Sequence, residues 1–139
     1  MTARLNPYLN FRDSAKEAME FYQSVLGGEL TLDNYGSYQM GEEGEANKIM
    51  HAMLTTPGGL VIMAADTPNS MPYAPGTNFA LSLSGEAADA DELTGYWEAL
   101  SAGGTVIEPL TEAPWGASFG MVTDRFGILW MVNIGAATQ

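Results

Sequence analysis

The 139-residue chain contains no cysteine, one histidine and only five lysine or arginine residues. Without cysteine it can form neither a disulfide nor a thiolate metal site. Its net charge of −12 argues against nucleic-acid binding, because phosphate groups require neutralisation by basic side chains. No apolar run approaches the roughly 20 residues that span a membrane, and the first residues do not resemble a secretory signal. We therefore expect a cytoplasmic protein with neither nucleic acid nor membrane as a partner.

The composition is that of a globular protein, with 46% apolar and 16% charged residues. The length suits a single domain with a substantial core. An acidic surface favours solubility and could also attract cationic ligands. A solvated acidic surface is the simpler interpretation.

One sequence pattern occurs twice. Two adjacent aromatic residues, a leucine and a pair of glycines form Phe21-Tyr22, Leu26 and Gly27-Gly28, and they recur as Tyr96-Trp97, Leu100 and Gly103-Gly104. An alternating segment precedes each copy, and two short apolar segments follow it. Two copies are too few for a solenoid, so the chain is expected to be a duplicated β-α-β-β-β module.

The first copy predicts a strand with Leu9 and Phe11 on one face and polar residues on the other. Ser14 and Glu17 suggest a capping box at the start of the helix. The loop 35–47, with three glycines and three glutamates, is expected to be mobile, with its carboxylates solvated. The predicted elements are the strand Asn6–Phe11, a helix ending at Gly27-Gly28, the strand Glu29–Asn34, and a hairpin of Lys48–Thr55 and Leu60–Ala65.

The second copy repeats this order. The predicted elements are the strand Asn78–Ser84, the helix Ala88–Ala102, and the strands Thr105–Leu110, Ser118–Thr123 and Ile128–Ile134. The fold class is therefore α+β, with two βαβββ modules that form one curved mixed sheet, covered by helices on one side and leaving a cup on the other. We expect a single domain in which residues 1–66 are the first module, 67–76 a linker and 77–139 the second module.

These modules resemble the vicinal oxygen chelate superfamily, which holds glyoxalase I, bleomycin-resistance proteins and dioxygenases. The local phrases are most similar to its PhnB-like branch: Tyr8-Leu9-Asn10-Phe11, Ala18-Met19-Glu20-Phe21-Tyr22, Lys48-Ile49-Met50-His51-Ala52, Trp115-Gly116 and 119–127. The resemblance covers the chain from about Asn6 to Asn133. It implies the glyoxalase fold with a cup, and pairing of chains into a homodimer.

The resemblance also implies a divalent metal ion held by side chains of the first and last strands of each module. At those positions this chain has Asn6 and Asn78, and Met63 and Met131. Thioethers are soft and uncharged, and amides are weak ligands without carboxylates beside them. We therefore expect no metal and no other cofactor.

Alternation along the strands, together with the resemblance, predicts which residues line a ligand pocket: Asn6, Tyr8, Asn10, His51, Met53, Met63, Asn78, Trp115, Met121 and Met131. The methionines could bind varied apolar ligands or simply fill a core. Trp115 could overhang the pocket and stack on a ligand, or lie at a dimer contact. His51 is the named catalytic candidate and could act as a general base or hydrogen-bond a ligand, although a strand histidine with a purely structural hydrogen bond is the simpler interpretation. A pocket tyrosine is the other possible base.

Several functions remain open from the sequence. The first is binding of a small organic ligand without metal. The alternatives are drug sequestration in the manner of bleomycin-resistance proteins, a metal-independent isomerase or lyase that uses His51, and a structural role with an empty cup. No nucleophile elbow, catalytic triad or phosphate-binding loop is present to favour another class of enzyme.

Overall fold

A computed structural model describes residues 3–41 and 43–136, and these residues divide into two compact units between Pro75 and Gly76. The first unit contains β1 (Tyr8–Phe11), α1 (Ala15–Leu26), β2 (Glu29–Asn34), β3 (Ile49–Thr55) and β4 (Val61–Asp66). The second contains β5 (Leu81–Gly85), α2 (Ala90–Ser101), β6 (Thr105–Glu112), β7 (Ser118–Thr123) and β8 (Leu129–Ile134). Each unit is therefore a βαβββ module, and the predicted α+β class is confirmed.

The two sheets have the same topology. The strand order is β1-β4-β3-β2 in the first and β5-β8-β7-β6 in the second. In each sheet the first pair is parallel and the other two pairs are antiparallel. The hairpins predicted at 56–59 and 124–127 join β3 to β4 and β7 to β8.

Each helix covers one face of its own sheet. In the first unit, Leu9 and Phe11 are buried while Tyr8 and Asn10 between them are exposed, as the alternation predicts. Ala18, Met19 and Tyr22 form the buried stripe of α1, and Ala52, Leu54, Ile62 and Ala64 face it from β3 and β4. The opposite face of this sheet carries half-buried and exposed side chains.

The second unit is built in the same way, with Leu83, Val122, Trp130 and Val132 buried. Trp97 of α2 packs against β7 at Gly120, where an added Cβ would lie 2.8 Å from the indole ring. This tryptophan therefore packs on the sheet of its own unit. The glycine makes room for a large ring that a larger β7 residue would displace.

The repeated glycine pair has one physical cause in both units. A Cβ on Gly28 would collide with the carbonyl oxygen of Thr55, and a Cβ on Gly104 with that of Thr123. The chain leaving each helix thus passes directly against the end of the strand that begins the hairpin. Only glycine permits that approach.

The capping box predicted at Ser14 and Glu17 is wrong. Ser14 makes no side-chain capping bond; instead the Asp66 carboxylate, at the end of β4, accepts a hydrogen bond from the Ala15 amide at 2.9 Å. A capping box does occur in the second unit, between Glu86 and Asp89 at the 3₁₀ turn Ala87–Asp89 that leads into α2. The three-residue spacing of Ser14 and Glu17 therefore does not form a capping box, whereas the same spacing of Glu86 and Asp89 does.

The prediction of a solvated, mobile loop at 35–47 is also incorrect in part. The side chains of Tyr35 and Glu45 are buried, and a short 3₁₀ turn spans Gly36–Tyr38. The Tyr35 hydroxyl donates to the backbone oxygen of Asp66 at 2.9 Å. Burial, reinforced by the Glu45 carboxylate, raises the pKa of Tyr35 above its usual value.

Two predicted strand starts are shifted. Asn6 and Asn78 both precede their strands, which begin at Tyr8 and Leu81. Pro7 lacks the amide that would continue the ladder before Tyr8, although its oxygen accepts from Met63 at 3.0 Å. In the described residues, no helix is long and apolar enough to cross a membrane.

Candidate functional site

The first candidate site is the face of the first sheet that is turned away from α1, here named the first open face. Strand register brings Tyr8 beside Met63, and Met63 beside Met53, across β1, β4 and β3. Tyr8 is 46% exposed, and both methionines are half-buried. Three of the predicted pocket residues therefore form one continuous row.

His51 joins this row through Tyr8. The Tyr8 hydroxyl oxygen lies 3.5 Å from Nδ1 of His51, and the two ring centroids are 5.9 Å apart. This distance is at the long end of the range for a hydrogen bond. The structure thus places the only histidine of the chain next to an aromatic hydroxyl on a partly exposed surface.

The β2 edge contributes acidic and hydroxyl groups to the same face. Glu29, Thr31 and Asp33 are register partners of Thr55, Met53 and His51. Directly opposite residues of an antiparallel pair point to the same side of the sheet. Asp33 therefore lies beside His51.

The second open face is the corresponding side of the second sheet. Ser82, Met131 and Met121 form the equivalent row, in which Met131 pairs with both of the others. Asn133 donates from Nδ2 to the Ser82 hydroxyl at 3.3 Å, and Ser84 lies 3.5 Å from Ser82 between the two hydroxyl oxygens. The methionines of this face are therefore bordered by uncharged polar groups, and its central strands β7 and β8 carry no ionisable side chain on this side.

The remaining predicted pocket residues are less uniform in position. Asn10 lies two residues after Tyr8 on the exposed side of β1. Asn6 and Asn78 lie outside the strands, half-buried and exposed respectively. Trp115 is 76% exposed, on a turn closed by the Ala113 amide donating to the Ala117 oxygen at 2.7 Å.

The residues at the expected metal positions do not suit a divalent ion. The first unit offers Asn6 and Met63, and the second offers Asn78 and Met131. Neither pair carries a negative charge or an imidazole. Among residues 3–41 and 43–136, no three His, Cys, Asp or Glu side chains are grouped as a metal site would require.

A charged cluster lies elsewhere in the first unit, beside the start of α1. The ammonium group of Lys48 is 2.7 Å from Asp13 and 3.2 Å from Glu45, and it donates to the Asn69 side chain at 3.2 Å. The hydrogen bond to Asp13, and then that to Glu45, raises the pKa of Lys48. A cavity of about 300 Å³ adjoins this cluster, whose charges are paired with one another and tie three segments together.

Sequence reasoning missed Asp33 as a neighbour of His51, and it missed Glu108, which is the register partner of Met121. Both residues lie on edge strands. Their positions depend on which residues pair across strands, and alternation within a single strand does not supply that register. The only available signal would have been to pair the predicted strand Glu29–Asn34 with the predicted strand Lys48–Thr55.

The comparisons with known proteins agree on the family. Residues 4–132 match the model of the Glyoxalase/Bleomycin resistance protein/Dioxygenase superfamily. Protein YjdN of Escherichia coli is 27% identical to this chain, and the alignment covers 94% of each protein.

Solved structures give the same result. The crystal structure of protein PA1353 from Pseudomonas aeruginosa is similar with a TM-score of 0.87 and 35% identity, covering 98% of this chain and 100% of that one. A PhnB protein from Bacillus cereus has a TM-score of 0.74 and 24% identity, covering 96% of this chain and 100% of that one. The second of these supports the fold alone.

Proposed function

Because the chain belongs to the Glyoxalase/Bleomycin resistance protein/Dioxygenase superfamily, we propose that it binds a small organic molecule on its open sheet faces without a metal ion. The observation that carries this proposal is the methionine row of each face. Met53 and Met63 pair on the first face, and Met121 and Met131 pair on the second. Whether the ligand is chemically changed is a separate question.

The methionine rows support an adaptable apolar surface. A thioether side chain is flexible and polarisable, so it accommodates ligands of different shape. Polar groups border each row and could orient a bound molecule: Tyr8 and His51 on the first face, Ser82 and Asn133 on the second. An apolar surface with a few convergent polar groups is typical of small-molecule sites.

The side chains at the expected metal positions of each unit support ligand binding without a metal ion. An amide and a thioether give no charge to compensate a divalent cation. Metal analysis of protein purified without chelator is the direct test. One equivalent of tightly bound divalent ion, lost in Met131→Ala, would contradict the proposal.

Binding can be tested with methyl-labelled methionine, because the chain has nine methionines that report on different surfaces. Small aromatic fragments should shift the methyl resonances of Met53 and Met63. Met63→Lys should weaken that binding by more than about ten-fold, since it places an ammonium group within the apolar row. Met71→Lys is the matched control, because Met71 is 56% exposed and lies outside the strands.

Drug sequestration is a second candidate, favoured by the net charge of −12. A cationic glycopeptide antibiotic would be attracted by this charge, and its binding would weaken steeply with added salt. Calorimetry at two salt concentrations separates this candidate from binding of an uncharged ligand. Unchanged affinity would exclude a charge-driven site.

A metal-independent isomerase or lyase is a third candidate, with the partly exposed position of His51 on the first open face in its favour. Such an activity would survive chelation and would be lost in His51→Gln. Persistence of turnover in that variant would remove His51 as the base.

We extend the proposal to a cytoplasmic homodimer. Val106 and Ile107 of β6, an edge strand, are 44% and 51% exposed, and unpaired sheet edges favour association. Sedimentation of the native protein tests this extension, with a monomer at micromolar concentration as the contradicting outcome.

A further inference from the structure

We propose that His51 presents its Nε2–H group as a hydrogen-bond donor to an uncharged carbonyl-type oxygen of the ligand. Tyr8 is the positioning residue that sets this tautomer. The inference rests on the proposed ligand site and adds to it the chemistry of the ligand. It also separates a recognition role of His51 from its role as a base.

The positions of the two rings support the pairing. Tyr8 lies on β1 and His51 on β3, with β4 between them. On β4, the residue after the buried Ala64 is Ala65, which is the register partner of Asn10. The tyrosine ring thus extends across β4, and its hydroxyl oxygen lies 3.5 Å from Nδ1 of His51.

The chemistry of the pair determines which nitrogen carries the proton. A neutral imidazole has one donor nitrogen and one acceptor nitrogen. A phenol hydroxyl is a good donor, and an imidazole lone pair is a good acceptor, so the favoured bond runs from Tyr8 to Nδ1. The ring proton then lies on Nε2, because the bond at one nitrogen fixes the state of the other.

A protonated Nε2 donates a hydrogen bond and has no lone pair with which to remove a proton. His51 in this state binds an acceptor oxygen of the ligand. The apolar part of that ligand would lie against Met53 and Met63, which adjoin Tyr8 and His51 through the strand register. A ketone, ester or amide attached to an apolar or planar body has this combination of groups.

The charges on the same face disfavour a carboxylate ligand. Asp33 is the register partner of His51, and Glu29 lies further along the same strand, β2. The Asp33 carboxylate would repel an anionic oxygen at Nε2, whereas Glu29, which is opposite Thr55 and four residues away along β2, adds little because of screening. The ligand oxygen is therefore uncharged.

The tautomer can be measured directly, because the chain contains a single histidine. A long-range ¹⁵N–¹H spectrum of the labelled protein, recorded on the neutral imidazole, should show predominantly the Nε2–H form. Tyr8→Phe removes the donor and keeps the ring, so it should produce a mixture of tautomers. A predominant Nδ1–H form, or a spectrum unchanged by Tyr8→Phe, would overturn the pairing.

The ligand class is tested with three matched fragments: acetophenone, ethylbenzene and benzoate. Acetophenone should bind about five-fold more tightly than ethylbenzene, as one hydrogen bond provides, with the methyl groups of Met53 and Met63 as reporters. In His51→Phe, which removes the donor nitrogen, that difference should vanish. Benzoate should bind most weakly and should gain affinity in Asp33→Asn.

Each contrary outcome has a distinct meaning. Equal binding of acetophenone and ethylbenzene to the native protein, or strongest binding of benzoate, would overturn the proposed ligand class while leaving the apolar site. If no fragment shifts the resonances of Met53 and Met63, the proposed function itself is wrong, even where the spectrum confirms the pairing of Tyr8 with His51.

Discussion

In the first unit, the start of the helix is held by a distant carboxylate, and in the second unit it is held by neighbouring residues. Asp66 accepts from the Ala15 amide, 51 residues away in the chain, and from the Ile49 amide, both at 2.9 Å. In the second unit, Glu86 donates its own amide to the Asp89 carboxylate at 2.9 Å, three residues away. The two units thus satisfy unpaired amides at the entry to the helix in different ways, one through tertiary structure and the other locally, at the 3₁₀ turn that leads into α2.

The hairpin turns of the two units also differ, and here the second unit has more hydrogen bonds. In the first unit, the Thr56 hydroxyl accepts from the Leu60 amide at 3.0 Å. In the second unit, the equivalent Asp124 accepts from the Phe126 and Ile128 amides and also from the indole of Trp130. Here the second unit has the more extended network. Duplicated modules therefore retain the backbone path and redistribute the side chains that stabilise it.

The largest expected effect is that of Asp66→Ala, about 4 kcal/mol of destabilisation, because two buried amides lose their acceptor. Asp89→Ala, on an exposed cap in the second unit, should cost about 1 kcal/mol. Urea unfolding measures both. Equal losses would show that the two helix starts are energetically equivalent.

The next effect is that of Asp124→Ala, which should destabilise by about 3 kcal/mol because three donors lose one carboxylate and two of them can reach water. Thr56→Ala, which removes a single acceptor, should cost about 1 kcal/mol. Trp130→Phe in the Asp124→Ala background isolates the indole bond through a double-mutant cycle. Zero coupling between these two positions would contradict the network.

Alanine at the repeated glycines should cost about 2.5 kcal/mol at Gly28 and about 1.5 kcal/mol at Gly104, since both collide with a backbone oxygen. The larger value reflects the φ of +104° at Gly28, which disfavours a side chain. Gly58→Ala is the control, because its Cβ would meet no atom within 4 Å. Thermal unfolding of the three variants would reveal whether the two close approaches are equivalent.

The smallest effect concerns two tyrosines, one in each unit. The hydrogen bond from Tyr96 to Glu92, helped by burial, raises the pKa of Tyr96 to about 12. A raised folded-state pKa gives stability that is complete below pH 10, the usual value for tyrosine, and is lost as the pH rises towards 12.

Ultraviolet titration of the phenols tests this assignment. Glu92→Gln should move the Tyr96 midpoint down towards 10, the usual tyrosine value. The pKa of Tyr35, raised by burial in the first unit, should not change. A shift of both midpoints in the variant would indicate a global change in the fold.

Much of the fold was accessible from the sequence, because the repeat gave the module and alternation gave the faces. Leu9 and Phe11 lie on the helix-covered side and Tyr8 on the open side, as the period-two pattern requires. The capping box predicted at Ser14 and Glu17 was wrong, because local spacing does not reveal that Asp66 accepts a hydrogen bond from the Ala15 amide from another strand. The burial of Glu45 was missed for the same reason, because one of its partners, the Asn69 amide, comes from a segment 24 residues away.

The sequence predicts which face of the sheet carries the candidate site, and not how the side chains on that face contact one another. The row of Tyr8, Met63 and Met53 follows from alternation once the strands are paired. The contact between Tyr8 and His51 depends on ring rotamers, and the position of Asp33 depends on the register. Neither quantity can be obtained from one sequence without knowing which strands are neighbours.

The sparse basic residues have a consequence for proteolysis. Arg12 donates to the backbone oxygens of Met71 and Pro68, and Arg125 donates to that of Ala102, while Lys48 lies in the charged cluster. Trypsin could cleave the chain after each of its five lysine and arginine residues. The side chains of three of these residues hold loops in place. Cleavage after Arg12, Lys48 or Arg125 requires the release of such a tie, so the appearance of these fragments reports local opening of the native chain.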